Sequence, residues 1–345
     1  MKILLLSHRF YPDVGGIETI SEYLANKFFE AGKDVRLVTW SKDNTQNHDY
    51  SYEVIRDPTV WTLLKSHHWA DVVFENNPCL RLAWPNILFK KPRYIGIQTW
   101  VLDSTQNHPI TERIKKFWLS RAKKVIACSD SIRDRCWPEA VTIRNAYQDQ
   151  IFKKIDQIPR TQDFVFLGRL VSDKGADQAI MAFHHIVAEE HSKGIYKNRT
   201  MNIIGNGPEK SNLIHLVEKL GMKSSISFLG LLKGEALVKI LNQHKYILIP
   251  SIWEEPFGIV ALEAMACGCI PIVSDGGGLP EAVGGGGLTF RRKDLQSLID
   301  TIKLVSDNSD VAQKLLEEGK NHLLKHHLQY VADQYLEILN TPISN

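Results

Sequence analysis

The chain has 345 residues, 43% hydrophobic and 23% charged, with 42 basic and 39 acidic side chains for a formal net charge of +3. That length suggests two domains, the composition supports packed cores rather than disorder, and the near balance of charge excludes a global polyanion-binding role. No apolar run approaches the ~20 residues of a membrane span, and the four apolar residues after Lys2 are too few for a signal-peptide core.

In chain order, strand-like runs are expected at 3–7, 35–40, 52–55, 71–74, 94–98, 124–129 and 141–144, with helical patterns between several of them. Ile17, Ile20, Leu24 and Phe28 have helical spacing before Gly32 ends the pattern. The second half repeats the plan, with runs at 164–167, 201–204, 226–229, 246–250, 270–274 and 288–290, helices such as 175–190 and 235–243, and helix from 290 to about 339. Short strands alternating with helices predict βαβ units and buried parallel sheets. The fold class is therefore α/β: two facing, doubly wound, Rossmann-like domains. The polar stretch 148–162 separates them, giving a first domain of 1–155, rejoined by the last helix at about 325–345, and a second of 156–324. Ligands of such sheets bind beyond the carboxyl ends of the strands, so the cleft between two such domains is the expected site.

Four segments carry chemistry toward that site. Pro12-Asp13-Val14-Gly15-Gly16 follows the first strand and opens a helix, where Gly15 and Gly16 would let backbone amides approach an anion; a plain strand-to-helix turn is the alternative. Arg169 and Lys174, in Gly168–Gly175 after the first strand of the second domain, pair a planar fork with a point charge and suit a diphosphate. Glu255 and Glu263 flank a helix start near Gly258, whose free amides favour an anion while the carboxylates accept sugar or ribose hydroxyls. Gly205-Asn206-Gly207-Pro208 and Phe228-Leu229-Gly230 are turn signals after the next two strands.

These segments, with Glu255-Pro256-Phe257-Gly258, Glu263–Gly268, Gly278-Leu279-Pro280-Glu281 and the Tyr11–Glu18 start, resemble the family 4 retaining glycosyltransferases, in the order those enzymes carry them. The resemblance implies a GT-B fold and a hexose transferred from a nucleotide diphosphate sugar, a UDP-sugar before GDP-mannose, to a glycan or lipid-linked acceptor. It implies that Arg169 and Lys174 hold the diphosphate and steady the leaving group, that Glu255 contacts the transferred sugar, and that Glu263 takes the ribose hydroxyls. It places the amides of Phe257, Gly258 and Ile259 near the sugar and distal phosphate. Gly205, Asn206 and Gly207 would line the base pocket with Phe228, Leu229 and Gly230, and Gly15 and Gly16 would close over the phosphates. No metal or other cofactor is implied. Many members carry a histidine where this chain has Gln98, which accepts and donates hydrogen bonds but shuttles no proton; His108 is the candidate substitute. Trp100, beside Gln98, is an acceptor-side candidate.

The near-neutral total hides an asymmetry. Between Arg81 and Lys124 ten basic residues face two acidic ones, a local +8, and 111–124 reads as a basic amphipathic helix. An anionic membrane surface is one partner for it, and packing of its apolar side on the sheet is the alternative. Five cysteines without C-x-x-C spacing point to a reducing, cytoplasmic setting, peripheral at the inner membrane face if the helix binds lipid. The doublets at 67–68, 184–185 and 326–327 read as surface histidines rather than metal ligands, and no nucleic-acid partner is expected. Two other readings stay open: a non-catalytic nucleotide-binding member, and a sugar-nucleotide epimerase or small-molecule glycosyltransferase of the same fold.

Overall fold

The computed structural model of the chain describes residues 1–13, 15–43, 49–101 and 109–341. It divides into two compact units, one of Met1–Ala146 with the chain from Leu328 onward, the other of Tyr147–His327. Val14 and His108 lie outside the described residues.

The first unit holds strands β1 (Lys2–Ser7), β2 (Asp34–Thr39), β3 (Glu53–Arg56), β4 (Val72–Asn76), β5 (Arg93–Ile97), β6 (Lys124–Ala127) and β7 (Val141–Thr142). They form one sheet in the order β3-β2-β1-β4-β5-β6-β7, every pair parallel. Parallel strands covered on both faces need apolar residues at successive positions, not alternate ones. Accordingly, Ile3 through Leu6 are wholly buried. The helix Gly16–Glu30 turns Ile20, Leu24 and Phe28 inward. The last helix, Leu328–Asn340, belongs to this unit: Leu328 accepts a hydrogen bond from the Tyr23 hydroxyl, and Tyr335 meets Phe74 edge-on at 5.7 Å.

The second unit holds β8 (Gln162–Leu167), β9 (Met201–Ile204), β10 (Ile226–Gly230), β11 (His244–Ile249), β12 (Ile270–Ser274) and β13 (Leu288–Phe290). Their order, β10-β9-β8-β11-β12-β13, repeats the winding of the first sheet. Phe164, Phe166, Phe183 and Tyr246 anchor its core, with Phe164 stacked on Tyr246 at 5.5 Å. The two parallel, doubly wound sheets are those of the GT-B architecture.

In each sheet the winding reverses beside its first strand, between β1 and β4 and between β8 and β11. A chain that winds outward in both directions leaves a crevice at that point, beyond the strand carboxyl ends.

Several sequence expectations are corrected. The helix expected over 111–124 is Pro109–Ser120: amides of Arg121 and Ala122 close on the carbonyls of Trp118 and Leu119, and Lys124 already pairs with Tyr94 as the start of β6. Gln98 lies past β5, because that strand's pairing with β6 ends at Ile97. The C-terminal helical stretch is three helices, Leu295–Ser306, Ser309–Leu323 and Leu328–Asn340. The Asn308 side chain caps the second, accepting from the amides of Asp310 and Val311. His67 and His326 are buried, not surface residues. The His67 Nδ1 lies 2.9 Å from the Leu63 carbonyl, and His326 packs between His322 and Phe257.

Candidate active site

The reversal point of the second sheet gathers most of the motif residues. On the β8 side, the chain after Leu167 runs beside the turn after β9. The amide of Gly168 donates to the Ile204 carbonyl, that of Leu170 to Asn206, and that of Gly205 to Gly230 at the end of β10. Gly205 has φ +140°, and a β-carbon there would stand 1.8 Å from the Gly168 carbonyl oxygen, so no other residue lets the turn lie this close. The segments 168–170, 205–207 and 228–230 are thus brought together. Arg169 extends from them, exposed and without an ion-pair partner among the described residues.

Across the crevice, β11 ends in Ile249 and the chain turns at Pro250. Two amides of the next segment donate to one acceptor, the Asp173 carbonyl: those of Ile252 at 2.8 Å and Trp253 at 3.1 Å. That carbonyl lies in the short 3-10 turn Ser172–Lys174, so the loop carrying Glu255 is clamped to the loop carrying Lys174. The consequence is a direct ion pair, Lys174 Nζ on Glu255 Oε1. Ser251 Oγ donates to the same carboxylate oxygen at 3.0 Å, and Lys174 Nζ lies 5.0 Å from the centre of the Trp253 ring. Both partners are mostly buried, with 17% and 14% of their side chains exposed. In such a setting a charge-assisted bond is stronger and shorter than on the surface.

A third segment supports Glu255 from behind. The amide of Gly278 donates to the Glu255 carbonyl at 2.7 Å, and Glu255 bridges to Gly277. Arg292 holds the loop's outer edge, through Glu254 Oε1 at 2.8 Å and the Ile252 carbonyl at 3.1 Å. Gly258 precedes the helix Ile259–Ala266, whose first amides have no partner within the helix. Phe257 turns its ring inward onto His326, so its amide alone is left for the site.

Glu263 sits one turn inside that helix. Loss of solvent around its carboxyl is the cause of a pKa pushed up to about 8. The folded chain holds this proton more tightly than the unfolded one. The contribution to stability is therefore complete below the ordinary glutamate range and is lost as pH rises toward 8. The urea midpoint of the wild type is expected to fall between about pH 5 and pH 8, and that of Glu263→Gln to fall less. Parallel curves for the two proteins would remove Glu263 as the cause.

In the first unit, Gly15 is extended and stands before the helix Gly16–Glu30. A β-carbon on Gly15 would lie 2.5 Å from Glu18 Oε2, so the chain's own carboxylate already leans over this turn. Gln98 is 7% exposed: its amide donates to Asn77 Oδ1 at 2.7 Å, its Nε2 lies 3.5 Å from the Tyr335 hydroxyl, and its Oε1 is buried with no partner. Trp100 has its ring face covered by the Arg135 guanidinium, 4.3 Å away.

Sequence reasoning passed over Ser251, Trp253 and Arg292, which reach the Glu255 loop only through tertiary contacts. It also passed over a buried network in the first unit. There the Asn76 side-chain amide donates to Ser21 Oγ at 2.7 Å and the Ile17 carbonyl at 3.0 Å, and Ser21 Oγ donates to Ser7 Oγ at 2.8 Å. Among the described residues no cluster of three or more His, Cys, Asp or Glu could hold a metal ion, and the five cysteines are buried and form no disulfide. No described helix is long and apolar enough to cross a membrane.

The family model of the glycosyl transferases group 1 matches residues 148–322, just over half of the chain and nearly all of the second unit. The chain belongs to this family. It is 34% identical over 147 residues to an uncharacterized glycosyltransferase of Methanocaldococcus jannaschii, a match covering 43% of this chain and 34% of that protein. It is 29% identical to the glycogen synthase of Mycobacterium tuberculosis, over 94% of this chain and 90% of that one. Among solved structures, HepE of Anabaena in complex with UDP and glucose matches 99% of this chain and 100% of its own, with a TM-score of 0.81 at 17% identity. Sucrose-phosphate synthase of Thermosynechococcus elongatus matches 98% of each chain, with a TM-score of 0.79 at 19% identity. At those identities the two structures establish the GT-B fold of this glycosyltransferase.

Proposed function

We propose that this glycosyltransferase is a retaining, metal-independent enzyme of family 4 that moves a hexose from a nucleotide diphosphate sugar to a glycan or lipid-linked acceptor. The observation that carries the reading is the convergence of Arg169, Lys174, Glu255 and the helix start after Gly258 at the reversal point of the second sheet. Breaking the anomeric C–O bond leaves negative charge on the diphosphate. Arg169, Lys174 and the free helix amides of the Phe257–Ile259 turn supply the positive potential that stabilises it without a metal. Glu255 would then exchange part of its bond with Lys174 for a sugar hydroxyl. Glu263 accepts from the ribose, and the 205–207 and 228–230 turns flank the base. In a front-face reaction the acceptor hydroxyl attacks as the phosphate leaves. The departing phosphate oxygen takes the acceptor's proton, so no separate base is required.

A UDP-sugar is the favoured donor. UDP and glucose in the HepE complex support that choice. A thermal-shift panel of UDP-, GDP- and ADP-sugars, followed by hydrolysis of the one that stabilises most, tests it. Stabilisation by a UDP-sugar with slow release of free sugar is expected. No shift with any nucleotide sugar would end the reading.

Where the resemblance implies a histidine, this chain carries Gln98, whose Oε1 is a buried acceptor with no partner among the described residues. We infer that its role is hydrogen bonding on the acceptor side, together with Trp100. Gln98→Ala is expected to lower transfer at least about tenfold, the size of one lost buried hydrogen bond, with the UDP dissociation constant unchanged. Equal losses in both, or none, would remove Gln98 from the site.

A further inference from the structure

A row of buried polar side chains runs along the carboxyl rim of the first sheet. Ser7 ends β1 and Asn76 ends β4; the two are register partners, as are Asn76 and Gly96 of β5. Register partners share one face of a sheet. Ser7, Ser21 and Asn76 are wholly buried there. Their hydrogen bonds run one way. Asn76 Nδ2 donates to Ser21 Oγ at 2.7 Å, Ser21 Oγ to Ser7 Oγ at 2.8 Å, and Ser7 Oγ to the Arg9 carbonyl at 2.7 Å. Asn76 Nδ2 also donates to the Ile17 carbonyl at 3.0 Å. A carbonyl oxygen only accepts, so the helix Gly16–Glu30 fixes which end of the Asn76 amide faces it. The other end, Oδ1, is turned toward β5, buried and with no partner among the described residues. A β-carbon on Gly96 would stand 3.6 Å from that oxygen and 3.5 Å from Gln98 Nε2, so the two amides flank the bare backbone of Gly96.

The next residue holds the main chain of Gln98. Asn77 has φ +67°, a left-handed conformation that asparagine adopts more readily than other side chains. In it the Asn77 amide donates to the Gly96 carbonyl at 2.8 Å, and Asn77 Oδ1 accepts from the Gln98 amide at 2.7 Å. The β4–β5 ladder stops at Asn76 and Gly96. The Asn77 side chain therefore supplies Gln98 with the acceptor that the strand no longer provides. Two consecutive asparagines thus act on the two ends of one glutamine.

We propose that Asn76 and Asn77 are positioning residues for Gln98: Asn77 fixes its main chain, and Asn76, locked by the helix Gly16–Glu30, forms the polar wall beside its side-chain amide. A glutamine side chain has three rotatable bonds, and ordering it costs rotamer entropy. An oxygen already ordered by the fold meets an attacking hydroxyl without that cost. The inference rests on the acceptor-side reading of Gln98 and extends it to two buried residues that act only through Gln98.

The test follows glucose release from UDP-glucose, with water in the acceptor's place, beside the dissociation constant of UDP. Asn77→Gly keeps the left-handed backbone accessible and removes the oxygen. Release should slow by about three- to tenfold, the size of one hydrogen bond, with UDP binding unchanged. Asn77→Asp keeps the oxygen and should recover most of that loss. Asn76→Ala should slow release by a similar factor of about three to ten; thermal melting shows whether it folds, and where it does not, the Asn77 variants decide. A residue acting through Gln98 has nothing left to act on once Gln98 is gone. Asn77→Gly/Gln98→Ala should therefore be no slower than Gln98→Ala alone. Three results would overturn this inference by itself while Gln98→Ala is impaired: Asn77→Gly as fast as the wild type, Asn77→Asp as slow as Asn77→Gly, or a double variant slowed by the full product of the two changes. Unimpaired release by Gln98→Ala, or no release by the wild type, would remove the underlying reading and this inference with it.

Discussion

Lys174→Ala is expected to lower turnover by roughly two to three orders of magnitude, the scale seen when one preorganised group that stabilises developing charge is removed. The argument rests on where the ammonium is held. The amides of Ile252 and Trp253 both bond to the Asp173 carbonyl, which fixes the turn before Lys174 against the loop that carries Glu255. Lys174 is thereby presented over Trp253 and onto Glu255 with little freedom. A cation already ordered in a partly dry site needs little reorganisation when the leaving diphosphate gains charge. Removing it also leaves Glu255, now partnered only by Ser251, to repel the same diphosphate. The loss should therefore appear in kcat as well as in donor KM. Lys174→Arg should recover binding more than turnover, because a planar fork does not fit the geometry of a point charge. Steady-state kinetics with the best donor decide the matter. A Lys174→Ala protein with unchanged kcat would remove Lys174 from the chemistry.

The second large effect is expected from a residue that touches no substrate. Gly175 has φ +70°, and a β-carbon there would lie 2.0 Å from the Pro250 carbonyl oxygen. Gly175→Ala therefore adds a left-handed alanine, costing about 1–2 kcal/mol, to a backbone collision that only separation of the two loops can relieve. The sum is about 3 kcal/mol or more, a fall of roughly 6–12 °C in Tm for a unit of this size. The same separation breaks the clamp at Asp173, so turnover should fall toward that of Lys174→Ala although Lys174 and Glu255 are both still present. Thermal melting and kinetics on the one protein check the two halves. A loss of stability with kcat intact would show that the clamp shapes the fold but not the site.

Much of this was legible beforehand because it depends on local pattern. Strands buried on both faces must be apolar at successive positions, and helices must repeat their apolar residues every three or four. The alternation of the two announced both sheets before their strand order was known. The candidate motifs of the second unit could be placed in the fold for a related reason. Most sit in the loop after a strand's carboxyl end, so spacing along the chain nearly equals placement in space.

The places where sequence reading went astray are those where distant groups outvote local pattern. The apolar residues of 111–124 gave no sign of which would turn inward. Glu75 and Arg93, from two different strands, decided for Trp118. His67 looked like a surface residue until its ring met the Leu63 carbonyl inside the helix face. For Gln98 no local pattern pointed to its packing, with its amide on Asn77 and its side chain 3.5 Å from Tyr335, 237 residues away.

The sequence alone determined the α/β class, the two-fold repetition of the winding and the residue types of the candidate site, because strand and helix periods and glycine turns act over short stretches of chain. Only the tertiary structure decided that Lys174 bonds to Glu255, that Asp173 clamps the loop between them, and that Ile110, Ile114 and Phe117 face outward. Those outcomes depend on hydrogen bonds and charges brought together from strands far apart in sequence, whose proximity no local pattern encodes.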